Sequence, residues 1–204
     1  MAKNAKSACS TRSAPILLTA ALALAAGFSV STAQAQDGAY LQKLKAAASS
    51  REGTELTAYV TGYSYWDNTP PGSAAIAFPV IHSTAGGNGS YSNPITLAVG
   101  HSLQGGRHTL DLPAGTHLYL KRLKKYAIVE DVCGDGPTPQ NGPCHTGRSG
   151  HPWFDLYVGG QRSTRGTSNA CSSRITALQP VIINPRRDLP TVTGELTASG
   201  CRVF

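Results

Sequence analysis

Beyond Ala35 the sequence lacks any apolar run approaching the roughly 20 residues a bilayer crossing requires, so a soluble product with no membrane partner is expected. Charge is also sparse: charged residues make up 14% of the chain, and the formal net charge is +7. Three of those positive charges, Lys3, Lys6 and Arg12, sit in the first 35 residues, and without them the balance falls to +4. That small excess argues against a dedicated nucleic-acid binder. No repeat with a period of 20–50 residues and no sustained heptad is visible, which sets aside solenoids and coiled coils. There is no Cys-x-x-Cys and no His-x-x-x-His, so a zinc site is not expected. Gly-x-Ser-x-Gly is missing, and Gly86-Gly87-Asn88-Gly89-Ser90 lacks the Gly-Lys-Ser/Thr ending of a phosphate loop. Serine nucleophiles, nucleotides, metals and organic cofactors all drop out of the expectation.

What is present begins with an export signature. Met1 to Ala35 carries three basic residues and no acid, an apolar stretch from Ala14 to Ala26, and the small-x-small triplet Ala33-Gln34-Ala35. This predicts a cleavable secretory signal and a secreted, extracellular or periplasmic, product. The remaining 169 residues suit one domain. Cys9 leaves with the signal, and Cys133, Cys144, Cys171 and Cys201 remain. Four cysteines in an exported chain predict two disulfides. Three pairings are possible, and we favour Cys133–Cys144 with Cys171–Cys201 because each joins neighbours in sequence.

Residues 36–53 form an N-terminal extension in which Tyr40, Leu41, Leu44, Ala47 and Ala48 share a helical face, predicting a short helix over Asp37–Ser50. From residue 54 to 204 the chain changes character. Gly, Pro, Ser, Thr and Asn punctuate short runs rich in Val, Ile, Tyr and Thr. Strands are predicted near Leu56–Tyr65, Ile95–Val99, His117–Leu120, Tyr126–Asp131, Phe154–Val158, Val181–Ile183 and Thr191–Thr193. The connections at Ser83–Asn93, Gly134–Gly150 and Gly159–Asn169 are long and glycine-rich, and such loops usually carry function. The fold class is therefore all-β, and closure into a barrel would remove the exposed edges of so many short strands.

Two carboxylates stand among aromatic residues: Asp67 in Tyr63-Ser64-Tyr65-Trp66-Asp67-Asn68, and Asp155 in His151-Pro152-Trp153-Phe154-Asp155-Leu156. Aromatic surroundings exclude water, disfavour the charged carboxylate and raise its pKa, as a general acid near neutral pH requires. Rings beside acids also suit sugars, which stack an apolar face and hydrogen-bond their hydroxyls. The bland alternative is that Trp66, Trp153 and Phe154 are core residues and Asp67 caps a turn before Thr69-Pro70-Pro71-Gly72.

Tyr65-Trp66-Asp67 resembles the opening motif of the inverting endoglucanases of glycoside hydrolase family 45. Phe154-Asp155-Leu156 after His151 resembles the His-Phe-Asp-Leu segment shared by those enzymes and the expansins. The resemblance covers roughly Thr57 to Gly160 and implies a six-stranded double-psi β-barrel with an open polysaccharide groove. It would make Asp67 the catalytic base and Asp155 the acid, with Tyr63, Tyr65, Trp66, His151 and Trp153 contacting substrate; Asp135, in the loop after Asp131, is a further substrate-contact candidate from its place in the sequence. The chain departs from the pattern at Asn68 and Thr69, where the endoglucanases carry two cysteines, and at Pro152 and Trp153, which separate His151 from Phe154. Expansins loosen wall polymers without appreciable hydrolysis, and barwin-like proteins and a secreted streptomycete papain inhibitor are non-catalytic barrels of this kind.

Val129-Glu130-Asp131-Val132-Cys133-Gly134-Asp135-Gly136 is no EF-hand, since Cys133 and Gly142 occupy ligand positions. It predicts a strand ending at Asp131, and Asp131 is an alternative to Asp67 as catalytic partner. His82, His101 and His117 are expected to be structural, and Lys121-Arg122-Leu123-Lys124-Lys125 a solvated turn. The expectation is thus a monomeric secreted barrel that binds, and by single-displacement inversion hydrolyses or else loosens, a cell-wall polysaccharide. The rival is a non-catalytic binding protein, such as an inhibitor of papain-like proteases.

Overall fold

The computed structural model describes residues 32–204. The expected export segment lies outside them except for its last four residues, which open helix α1 (Thr32–Ser49). The strands are β1 (Thr54–Tyr63), β2 (Ile95–Val99), β3 (His101–Gln104), β4 (Arg107–Leu110), β5 (His117–Leu120), β6 (Lys125–Val132), β7 (Trp153–Tyr157) and β8 (Ala177–Ile183). Two further helices are α2 (Pro143–Thr146) and α3 (Arg165–Ile175). No helix among the described residues is long and apolar enough to cross a membrane.

Six strands close a barrel in the order β1-β7-β2-β6-β5-β8, and β3 pairs with β4 as a separate hairpin. The barrel is mixed. β1 runs parallel to β7 and β2 parallel to β6, while the other four contacts are antiparallel. Alternation along the strands fills the interior with Val60, Leu97, Val99, Leu118, Leu120, Val129, Phe154, Leu156, Val181 and Ile183, all at most 1% exposed. β2 is buried at every position, as its uninterrupted Ile-Thr-Leu-Ala-Val reads.

α1 docks through Tyr40, Leu44 and Ala47, which recur at helical spacing and are buried. Its C-terminal carbonyls at Ala47 and Ala48, and that of Ser50 just beyond its end, accept hydrogen bonds from Asn184 Nδ2 at 3.3, 3.0 and 2.9 Å. At 18 residues it is longer than the short helix expected. α3 falls where the sequence predicted a loop: Thr164 Oγ1 caps it by accepting from Thr167 N at 3.1 Å, and Ser168, Cys171 and Ile175 form its buried face. It approaches β1 at Gly62, where a Cβ would stand 2.8 Å from Val158 Cγ1 and 2.9 Å from Ile175 Cδ1. Residues 191–193, predicted as a strand, are irregular; they are held instead by a hydrogen bond from Val192 N to Lys124 O at 2.9 Å. The β3–β4 hairpin turns on Gly105 and Gly106, both at positive φ, a two-glycine signal present in the sequence. Its strands are too polar and exposed to read as strands by hydrophobic alternation.

The basic run is not wholly a solvated turn. Lys125 is 2% exposed, and its Nζ donates to Val192 O at 2.6 Å and Gly194 O at 2.7 Å, so burial pushes its pKa down to about 8 while the C-terminal segment is pinned to β6.

Cys133 bonds Cys144, and Cys171 bonds Cys201. The first joins the residue after β6 to α2, and the second joins α3 to the C-terminal segment. Replacing either pair by serine is expected to cost about 2–5 kcal/mol in equilibrium unfolding; peptide mapping that found four free thiols in the folded protein would contradict the pairing.

Candidate active site

The site begins with strand register. Thr61 of β1 lies opposite Asp155 of β7, Asp155 lies opposite Ala98 of β2, and Ala98 lies opposite Asp131 of β6. One cross-strand row therefore carries a hydroxyl, a carboxyl, a methyl and a second carboxyl. It stands on the sheet face opposite to Phe154 and Leu156. Asp131 reaches this row because the β2–β6 register shifts between Leu97 and Ala98. Leu97 pairs with Val129, and Ala98 pairs with Asp131, skipping Glu130. Without that irregularity Asp131 would share the inward parity of Val129, so the bulge re-aims it. Ala98, the smallest chiral side chain, leaves room above the row.

That room is a cleft of about 320 Å³ bordered by Tyr63, Asp67, Ala98, Asp131, Asp135 and Asp155. Asp155 accepts from Thr61 Oγ1 at 2.7 Å, and Thr61 Oγ1 accepts in turn from Trp153 Nε1 at 2.8 Å. Burial pushes the Asp155 pKa up to about 6; the Thr61 hydrogen bond opposes this, and the charges of Asp67 and Asp131 add to it. Asp131 is buried, and burial raises its pKa as well. Hydrogen bonds from Val132 N (2.9 Å), Tyr63 Oη (2.9 Å) and Ala77 N (3.1 Å) pull it back in part. Asp67 is exposed at the rim, its Oδ1 held at 2.6 Å by both Ser64 N and Ser64 Oγ. Asp135, also exposed, accepts from Thr69 Oγ1 at 3.1 Å.

The structure thus brings Tyr63, Asp67, Asp135 and Asp155 of the sequence candidates to one cleft, with Asp131 at its floor. The other candidates lie elsewhere. Trp153 packs edge-on against Tyr59 at 4.7 Å between ring centroids and acts on Asp155 only through Thr61. Trp66 donates from Nε1 to Gly160 O at 3.0 Å and packs edge-on against Tyr65 at 5.5 Å. His151 pairs with Arg148 and borders a depression beside Tyr40 and Leu44 of α1. Of the histidines expected to be structural, His82 binds Glu130, and His117 stacks on Tyr91 at 4.8 Å.

Glu130, the residue skipped by the bulge, was missed as a sequence candidate. Wholly buried, its carboxylate accepts from the amides of Val80 (3.2 Å), Ile81 (2.8 Å) and His82 (2.9 Å), and from His82 Nδ1 at 2.6 Å and Thr96 Oγ1 at 3.2 Å. It anchors the loop whose start, at Ala75, Ile76 and Ala77, walls the cleft. Its adjacency to Asp131 at the end of the apolar run Ala127-Ile128-Val129 was the signal available. Among the described residues no group of three His, Cys, Asp or Glu side chains is placed to hold a metal ion.

No solved structure matches the chain. An uncharacterized protein of Dictyostelium discoideum is 34% identical over 152 residues, which are 74% of this chain and 59% of that protein. The chain therefore spans about 59% of the length of the curated relative it matches. The family model described as the DDB_G0273701 N-terminal domain matches residues 55–202, a span that holds the cleft and both disulfides and all of the barrel but the first residue of β1. The chain belongs to the DDB_G0273701 N-terminal domain family.

Proposed function

We propose that the chain is an exported double-psi barrel that binds a cell-wall polysaccharide in the acidic cleft and cleaves it by single-displacement inversion. Asp155 protonates the leaving glycosidic oxygen, and Asp67, at the open rim, activates the attacking water. The observation that carries the reading is the Asp155 carboxyl: buried in a cleft it shares with Asp67 and Asp131, it has its pKa pushed up to about 6, so it has a proton to give in mildly acidic solution, where an ordinary aspartate has none. The two parallel contacts within a closed, mixed six-stranded barrel support the double-psi assignment.

Asp155 works protonated, so turnover should fall as pH rises through about 6. The test is release of reducing ends from a panel of wall polymers across pH, with the same protein assayed in parallel against papain-like proteases. Cleavage with that alkaline fall supports the reading; no binding to any polymer overturns it.

A second reading, a protease-binding protein, is favoured by one feature. Val80 and Ile81 are 50% and 52% exposed, yet their backbone amides are clamped by buried Glu130, so an apolar tip is held rigidly outward. Inhibition of a papain-like protease, lost in Val80→Asp/Ile81→Asp, is the result that would favour it.

A further inference from the structure

A second and larger cleft, about 450 Å³, lies between the glycine-rich loop after β1 and the C-terminal segment. It is bordered by Asn88, Asn93, Tyr157, Gln161, Arg162 and Glu195, among others. Its chemistry differs from that of the acidic cleft. One carboxylate and one guanidinium offset each other, and three side-chain amides supply donors and acceptors.

Tyr157 is the feature that marks it. The residue is 4% exposed, and its hydroxyl is buried with no hydrogen-bond partner among the described residues. A buried hydroxyl left unmatched is unfavourable, so a ligand group that reaches it, once the atoms covering it shift aside, recovers that loss. After burial, the charge of Glu195 is the largest influence raising the Tyr157 pKa. The Glu195 carboxylate is oriented from the protein side: its Oε1 accepts from Gly160 N at 3.2 Å and from Thr197 Oγ1 at 2.5 Å.

A packed pair of buried tyrosines lies between the two clefts. Tyr63 borders the acidic cleft, Tyr157 borders the second, and their rings pack edge-on at 5.3 Å between centroids. The charge of Asp67, in the first cleft, is also felt at Tyr157. A polymer chain bound in both clefts would run past this pair.

We infer that the second cleft is a binding subsite for neutral sugar units of the same polymer chain, with the Tyr157 hydroxyl, Glu195, Arg162 and the amides of Asn93 and Gln161 meeting its hydroxyls. The inference rests on the polysaccharide reading above and extends it: the protein grips a long, uncharged chain and places the bond to be broken at one end of its contact. Net neutrality and a high density of amides match a polyhydroxylated ligand. A polyanion would meet the four carboxylates of the first cleft unfavourably.

The test uses two soluble series, β-1,4-glucan and β-1,4-N-acetylglucosamine oligosaccharides from disaccharide to octasaccharide, with affinity measured by calorimetry. Wild type is expected to gain affinity with length. Tyr157→Phe should lose roughly five- to tenfold toward the octasaccharide, the worth of one hydrogen bond, while disaccharide affinity and the unfolding temperature are not lowered. Retained stability separates the subsite from a structural role, because the phenol oxygen has no partner to lose. Arg162→Ala, at an exposed position, should show the same length-dependent loss. Octasaccharide affinities equal to wild type in both variants would overturn the subsite and leave the acidic cleft standing. Absence of binding by wild type to either series would overturn both.

Discussion

Asp155→Asn is expected to lower polysaccharide turnover by about 10²–10⁴-fold, the contribution of a positioned general acid, while affinity for the polymer changes little. The amide keeps the shape of the carboxyl, and its oxygen can still accept from Thr61 Oγ1, but it has no acidic proton to give. The loss should therefore appear in kcat and spare KM. Stability gives a second signature. Asp155 has a folded pKa of about 6 against 3.8 in its ordinary state, so its ionisation opposes folding. The wild type should lose stability as pH rises from 3.8 through about 6 and then level off; the asparagine variant should not. Asp155→Asn with wild-type turnover would remove Asp155 as the acid.

Glu130→Ala is expected to be the most damaging single substitution, costing about 3–5 kcal/mol in urea unfolding, because it removes a wholly buried acceptor and leaves three part-buried amides without an acceptor and His82 without its partner. Glu130→Gln, which keeps one acceptor oxygen, should cost less. Burial pushes the Glu130 pKa up, but the hydrogen bonds from His82 Nδ1 and from the His82 and Ile81 amides outweigh it and hold the carboxyl below its ordinary 4.5. With a depressed folded pKa, the stabilising contribution is complete above about 4.5 and is lost as pH falls through the folded value. The alanine variant should lack that acid limb. Because the anchored loop also walls the acidic cleft, polymer affinity should fall with stability. A loss under about 1 kcal/mol would show that the loop is held by other contacts.

The parts of the fold that depend on local composition were legible. Ile95–Val99 and His117–Leu120 fall on β2 and β5 at both ends, since each is an apolar run bounded by Gly, Pro or Lys punctuation. The disulfide pairing followed from sequence proximity. What depends on register was not legible. The row Thr61, Asp155, Ala98, Asp131 arises from pairing four strands that are far apart in the chain, and the bulge at Glu130 leaves no mark in one sequence. Trp66 and Trp153 illustrate the same limit. Their place beside Asp67 and Asp155 suggested sugar-stacking platforms, yet an indole flanking a carboxylate in sequence points away from it in a strand or turn as readily as toward it. Trp153 works instead one residue removed, through Thr61. α3 escaped notice because Arg165–Ile175 is polar on most of its surface; its cap at Thr164 and the buried triad Ser168, Cys171 and Ile175 were the available clues.

The most direct measurement of the central claim, that burial in the shared acidic cleft raises the Asp155 pKa to about 6, is a ¹³C NMR titration of the Asp155 carboxyl, assigned by its loss in Asp155→Asn. The account predicts a midpoint near 6, moving down in Asp67→Asn and in Asp131→Asn as each neighbouring charge is removed. A midpoint near the ordinary 3.8, unchanged by either substitution, would contradict it.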